Sequence, residues 1–130
     1  MANKTFDSLG LIVEDEAVTT TATCTGAEIS GLNIGSASYV AVINSGDVTG
    51  TVDESNYYTV QLKASDAVDG TYYEVGDAKV LSATAEQTQI GFTSEQLNGI
   101  IADAAFFAVT VTKTGTTATA CSYTAFVSKV

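Results

Sequence analysis

The stretch NYYTVQLKA, residues 56–64, decides how the rest of the chain is read. Tyr58, Val60 and Leu62 alternate with Tyr57, Thr59, Gln61 and Lys63. A period of two is the geometry of an extended strand, whose successive side chains point to opposite sides. The spacing predicts a half-buried strand with Tyr58, Val60 and Leu62 turned inward and the other four turned outward.

The same alternation recurs on both sides of this stretch. AVTTTATC (residues 17–24) sets Val18, Ala22 and Cys24 on one face of a predicted strand and Thr19, Thr21 and Thr23 on the other. SYVAVINS (38–45) is apolar on both faces, Tyr39, Ala41 and Ile43 against Val40 and Val42, which predicts a central strand. TYYEVG (71–76) follows the turn DAVDG, with Asp69-Gly70 as a hairpin signal and Tyr73 and Val75 on a common face. KVLSATA and TQIGF are shorter candidates within residues 79–92. The last 25 residues, FFAVTVTKTGTTATACSYTAFVSKV, align Phe107, Val109 and Val111 before a Thr114-Gly115 turn, and Cys121, Tyr123, Ala125 and Val127 after it. They predict a closing hairpin.

One segment follows a different period. In TSEQLNGIIADAA, Thr93 and Gln96 have the spacing of a capping box, and Leu97, Ile100 and Ile101 fall on one helical face. Gly99 weakens that helix by roughly 1 kcal/mol relative to alanine. A short helix or helical turn near residues 94–103 is expected. Turn signals also stand at Thr25-Gly26, Ser30-Gly31, Ser45-Gly46 and Gly76-Asp77. Short strands separated by such turns predict an all-β fold, an antiparallel β-sandwich of jelly-roll-like type. At 130 residues the chain fits a single domain, residues 1–130.

Composition narrows the chemistry. Fifteen Asp and Glu against five Lys give a net charge of −10, and the lysines (Lys4, Lys63, Lys79, Lys113 and Lys129) are scattered. Binding to phosphate backbones draws on clustered Lys and Arg, so neither nucleic acid nor an anionic membrane is an expected partner. MANKTFDSLG lacks the apolar core of a secretory signal, which predicts no export by that route. With no histidine, Ser-His and Cys-His nucleophiles are impossible, and with no arginine the usual planar clamp for carboxylate or phosphate is missing. Paired carboxylates alone could serve glycoside hydrolysis, but no tryptophan platform accompanies them. The expectation is a non-enzyme without cofactor or metal. The acids Glu14-Asp15-Glu16, Asp53-Glu54 and Asp66 with Asp69 fall in runs and turns that could offer calcium ligands, yet none matches a dense D-x-D-x-D-G loop. Two cysteines, Cys24 and Cys121, read as buried thiols or as one bridge closing a long loop.

Two features suggest a protein partner instead. Tyr57-Tyr58 and Tyr72-Tyr73 form doublets on predicted neighbouring strands, one ring of each facing outward. They read as an interface patch, led by Tyr57 and Tyr72, or as a cross-strand aromatic pair. Phe6, Leu9, Leu11, Ile12 and Val13 form an apolar cluster near the N-terminus, either a first core strand or, within residues 1–13, an arm that docks on a partner.

Two stretches carry a family resemblance. Asp69-Gly70-Thr71-Tyr72-Tyr73-Glu74-Val75 has the form D-G-x-[YW]-x-x-V, and residues 109–117, VTVTKTGTT, run into the apolar Tyr123 to Val127. Over roughly residues 55–130 the chain resembles capsid decoration (cement) proteins of tailed phages. The resemblance implies a β-sandwich that assembles, often as a trimer, on the exterior of the virion capsid after synthesis in the host cytoplasm. Its partner there would be the major capsid protein, whose subunits it bridges. A tail or fibre component, a surface adhesive module and a carbohydrate-binding module are the competing readings.

Overall fold

The computed structural model of the chain describes residues 10–29 and 38–129. Among the described residues ten strands and one helix follow one another: β1 (Leu11–Val18), β2 (Ala22–Thr23), β3 (Ala27–Glu28), β4 (Ser38–Ser45), β5 (Thr49–Gly50), β6 (Tyr57–Ser65), β7 (Tyr73–Val80), β8 (Glu86–Thr93), α1 (Ser94–Ile100), β9 (Phe106–Thr114) and β10 (Ala118–Lys129). They form two five-stranded antiparallel sheets, β1-β10-β4-β8 with β5 on β10, and β2-β9-β6-β7 with β3 on β9. At the sides of the stack β8 lies against β7, and β1 lies against β3 and β9. The fold is an all-β sandwich with one short helix.

The alternation in β6 places its apolar face as expected. Tyr58, Val60 and Leu62 are fully buried between the sheets, with Phe107, Val109 and Val111 of β9 and Cys121, Tyr123, Ala125 and Val127 of β10. β4 is indeed central, between β10 and β8. Tyr39, Ala41 and Ile43 join the main core, while Val40 and Val42 are equally buried on the other side of the sheet, in a separate cluster with Phe126.

Gln61 departs from the expectation of an outward residue. Three residues of β7 (Gly76, Asp77 and Ala78) stand opposite this single residue of β6, because Val60 pairs with Lys79 and Leu62 with Val75. The Gln61 side chain is buried in that bulge, and its Nε2 donates to the carbonyls of Leu62 at 2.9 Å, Gly76 at 3.2 Å and Val75 at 3.3 Å. An amide nitrogen carries two hydrogens, so one bond is direct and the other is shared between two carbonyls. Gly76-Asp77 is therefore no turn but the bulge itself, and Gly76 has φ +71°, a conformation that glycine adopts without strain.

Two further expectations are corrected. β9 and β10 are joined by the predicted turn but lie in opposite sheets, so they form an arch and not a closing hairpin. Their apolar faces meet each other across the interlayer, which local alternation satisfies as well as pairing would. Likewise residues 17–24 are not one strand. The chain leaves β1 of the first sheet after Val18 and enters β2 of the second at Ala22. The Asp69-Gly70 hairpin does form, joining β6 and β7.

The helix is shorter than residues 94–103. Thr93 Oγ1 accepts from Gln96 N at 3.1 Å and Gln96 Oε1 accepts from Thr93 N at 2.9 Å, the reciprocal capping box read from the sequence. A seven-residue helix is unstable in isolation. This one is held by the cap, worth about 1 kcal/mol, and by burial of Leu97, worth roughly 1.5–3 kcal/mol. Ile101 is already extended, so Ile100 loses its place on the buried face and is 37% exposed.

Candidate interaction surface

Strand edges and loops hold the polar and exposed apolar groups of the sandwich, and each is set by local chemistry. At the loop before β6, Asp53 Oδ1 accepts from Ser55 N and from Asn56 Nδ2, both at 2.9 Å. Asn56 Oδ1 in turn accepts from Thr116 N at 2.8 Å and Thr117 N at 3.1 Å, clamping the β9–β10 arch. The Asn56 amide and the Ser55 N–H hold the Asp53 carboxyl below its ordinary value. Asp47 accepts from Ala85 N at 2.8 Å and Glu86 from Ser82 N at 2.7 Å. These acids are turn clamps. Among the described residues, no three His, Cys, Asp or Glu side chains come together as a metal-binding group.

The acidic run of β1 has another role. β1 is an edge of the first sheet, and its pairing with β10 breaks register twice, between Leu11 and Val13 and between Val13 and Glu16. Asp15 sits at φ +47° with its N–H donating to Thr124 Oγ1 at 3.1 Å. Irregular pairing and exposed charge together blunt an edge against uncontrolled strand addition.

Both cysteines are free thiols. Cys24 follows β2, and its Sγ accepts from Val109 N at 3.2 Å; Cys121 is buried in β10. Burial pushes the Cys24 thiol up, helped by the nearby Glu16 carboxylate and opposed by the Val109 N–H and the Tyr123 hydroxyl. Burial also raises Cys121. Tyr123, between these thiols, is pushed up strongly by desolvation. Nucleophilic thiols require the opposite shift, so this cluster is packing with polar tips.

The residues expected at a partner interface fall in different places. Leu11, Ile12 and Val13 belong to β1: Ile12 is 7% exposed in the core, Val13 packs against the core, and half-buried Leu11 pairs with Phe126. The first-strand reading holds for these three, and Ile12 presents nothing to a partner. Phe6 and Leu9 lie outside the described residues. Tyr57 and Tyr72 are both half-buried but stand at opposite ends of their hairpin, since Tyr57 is seven residues from Ala64, the partner of Tyr73. At about 3.3 Å per residue that separation is roughly 23 Å, too far for one patch or for a cross-strand pair. Within the second doublet the roles are the reverse of those expected. Tyr72 is held down, its hydroxyl donating to the Val68 carbonyl at 2.9 Å, and Tyr73 is the exposed ring.

Exposed apolar residues stand at both ends of β7, the edge of the second sheet: Val68 and Tyr73 at one end and Val80 at the other. Val68 is 47% exposed, Tyr73 46% and Val80 61%. The polar residues of the same strand, Glu74, Asp77 and Lys79, are exposed as well. Alternation could not reveal this surface, because exposure at an edge depends on which strand lacks a neighbour. No protein-family model matches the chain, and no curated protein matches it in sequence.

Proposed function

We propose that the protein is a structural component of a tailed-phage head, a decoration protein that binds the assembled capsid and bridges its major capsid subunits. The observation that carries this reading is the character of β7. The strand that begins with the last three residues of the D-G-T-Y-Y-E-V stretch is a sheet edge, with Tyr73 and Val80 exposed at its two ends and Val68 in the loop before it. The second stretch that carries the resemblance begins in β9 of the same sheet, so β6 alone separates the two. A long exposed edge with an aromatic group at one end, an aliphatic group at the other and charge between them suits a protein interface better than a small-molecule cleft. An excess of acid keeps such a chain soluble and away from nucleic acid until it meets its shell. Binding only to the assembled shell stabilises that shell by mass action.

The test is co-sedimentation of the purified protein with mature heads, followed by imaging of labelled protein on virions. Label over the capsid supports the proposal, and label confined to the tail replaces it with the tail or fibre reading. Tyr73→Asp and Val80→Asp are expected to weaken capsid binding at least tenfold, about 1.4 kcal/mol, without unfolding the sandwich. Unchanged binding by both variants would remove β7 from the interface. Sedimentation of the free protein decides between a monomer and the trimer expected of such proteins.

A further inference from the structure

Part of the outer face of the first sheet is buried although it does not face the main core. Val40, Val42 and Phe126 are each 0% exposed and form a cluster of their own. Register places Leu11, Phe126, Val42 and Gln89 in one row across β1, β10, β4 and β8, with Ser128, Val40 and Gly91 in the next. None of the described elements packs as a layer on this face. Three large apolar side chains on a solvent-facing sheet would be wet, so part of the same chain must cover them.

We propose that this face is the docking site of the chain's own residues 1–9. The described chain enters the sheet where the patch begins: Leu11 pairs with Phe126. Gly10 is buried so tightly against β10 that a Cβ there would strike the Val127 carbonyl, which requires glycine at this close approach. The segment carries Phe6 and Leu9, the apolar groups needed to seal three aliphatic and aromatic side chains. Nine residues reach up to roughly 30 Å, and a four-stranded sheet is about 14 Å across, so the segment is long enough to traverse the patch. Residues 30–37 connect β3 of the second sheet to β4 of the first, so both ends of that segment are fixed by the strands they join. The cluster of Phe6, Leu9 and Leu11 is thus divided by function. Leu11 belongs to the sheet, and Phe6 and Leu9 seal its outer surface.

The experiment uses the full chain without capsids, so its outcome is independent of the decoration reading. With p-benzoylphenylalanine in place of Phe6, irradiation of dilute protein is expected to give intramolecular cross-links to peptides from β4 or β10. Cross-links elsewhere, none at all, or links between two copies would overturn the proposal. In parallel, Phe6→Asp is expected to raise the amide exchange rate of peptides from β4 and from the second half of β10 by about tenfold, with new binding of a hydrophobic dye. Wild-type exchange in that variant, or the same opening produced by Leu32→Asp instead, would assign the cover to another segment.

Discussion

Replacing Gln61 tests the packing of the sandwich at its least regular point. Its amide satisfies three backbone carbonyls, those of Leu62, Val75 and Gly76, in a bulge where ladder hydrogen bonds are interrupted. Gln61→Leu keeps the volume and removes both donors, while the leucine side chain keeps water out. A buried polar group left unpaired costs roughly 1–3 kcal/mol, and the Leu62 bond is the better of the two lost. A destabilisation of about 2–3 kcal/mol is expected, a fall in Tm of roughly 10 °C for a chain of this length. Gln61→Ala opens space beside an exposed strand, so water can reach the carbonyls, and its cost should be smaller, about 1–2 kcal/mol. The order is the reverse of that for a purely apolar site, where truncation to alanine is the worse change. Gln61→Glu adds a pH signature. A carboxylate facing carbonyl oxygens in a buried site has its folded pKa raised above the unfolded value. The native state then holds the extra proton, so stability relative to wild type is greatest at low pH and is lost as pH rises through the folded pKa. Urea unfolding of the three variants, each compared with wild type at every pH, measures all of this. A fully stable Gln61→Leu protein, or a Gln61→Glu protein whose deficit is independent of pH, would refute the role given to the amide.

Two other perturbations have defined outcomes. Asn56→Ala removes the acceptor of Thr116 and Thr117 and the donor to Asp53, and is expected to cost about 1–2 kcal/mol, read by thermal unfolding. In wild type the Asp53 carboxyl is held below its ordinary value, so its contribution is present above the unfolded pKa and is lost as pH falls through the folded one; carbon NMR should show its midpoint moving up in the variant. The cysteines should give a chain mass unchanged by reductant, slow alkylation of the native protein at mildly alkaline pH, and rapid modification of both thiols in denaturant, since burial raises each pKa.

What could be read from the sequence was what neighbours in the chain determine. The inward face of β6, the two-sided burial of β4, the Asp69-Gly70 hairpin and the Thr93–Gln96 cap all depend on side chains within a few residues of one another. What escaped was the choice of partner. Alternation in residues 106–129 fixes which side chains face inward, but a hairpin and an arch present the same inward faces, and only the competition of β6 and β4 for β9 and β10 separates them. Gly76-Asp77 carries the composition of a turn and becomes a bulge because Gln61 opposite can satisfy its carbonyls, a compensation fifteen residues away. The interface candidates are similar: Tyr57 and Tyr72 are legible as tyrosines of one hairpin, but not as residues at its opposite ends. Val68 and Val80 gave no signal, since a valine on an edge strand reads like one in a core.

The edges of the two sheets show why exposed apolar groups on β7 are informative. β1 is broken by two register shifts and carries Glu14 and Asp15 outward, and the opposite side of the second sheet is divided into the two-residue strands β2 and β3. Such short or charged edges resist adventitious pairing. β7 has eight residues, with its bulge and the neighbouring β8 and α1 as protection, and it leaves Tyr73 and Val80 in water at a cost that burial would recover. β8, the remaining edge, is as long and pairs with β4 in unbroken register, but its Ile90 and Phe92 are buried, so β7 is the edge strand that exposes large apolar side chains among the described residues. The bulge limits how much backbone pairing β7 can offer, so the proposed capsid contact would rest chiefly on side chains, and Tyr73 and Val80 are the two positions where substitution is expected to weaken it most.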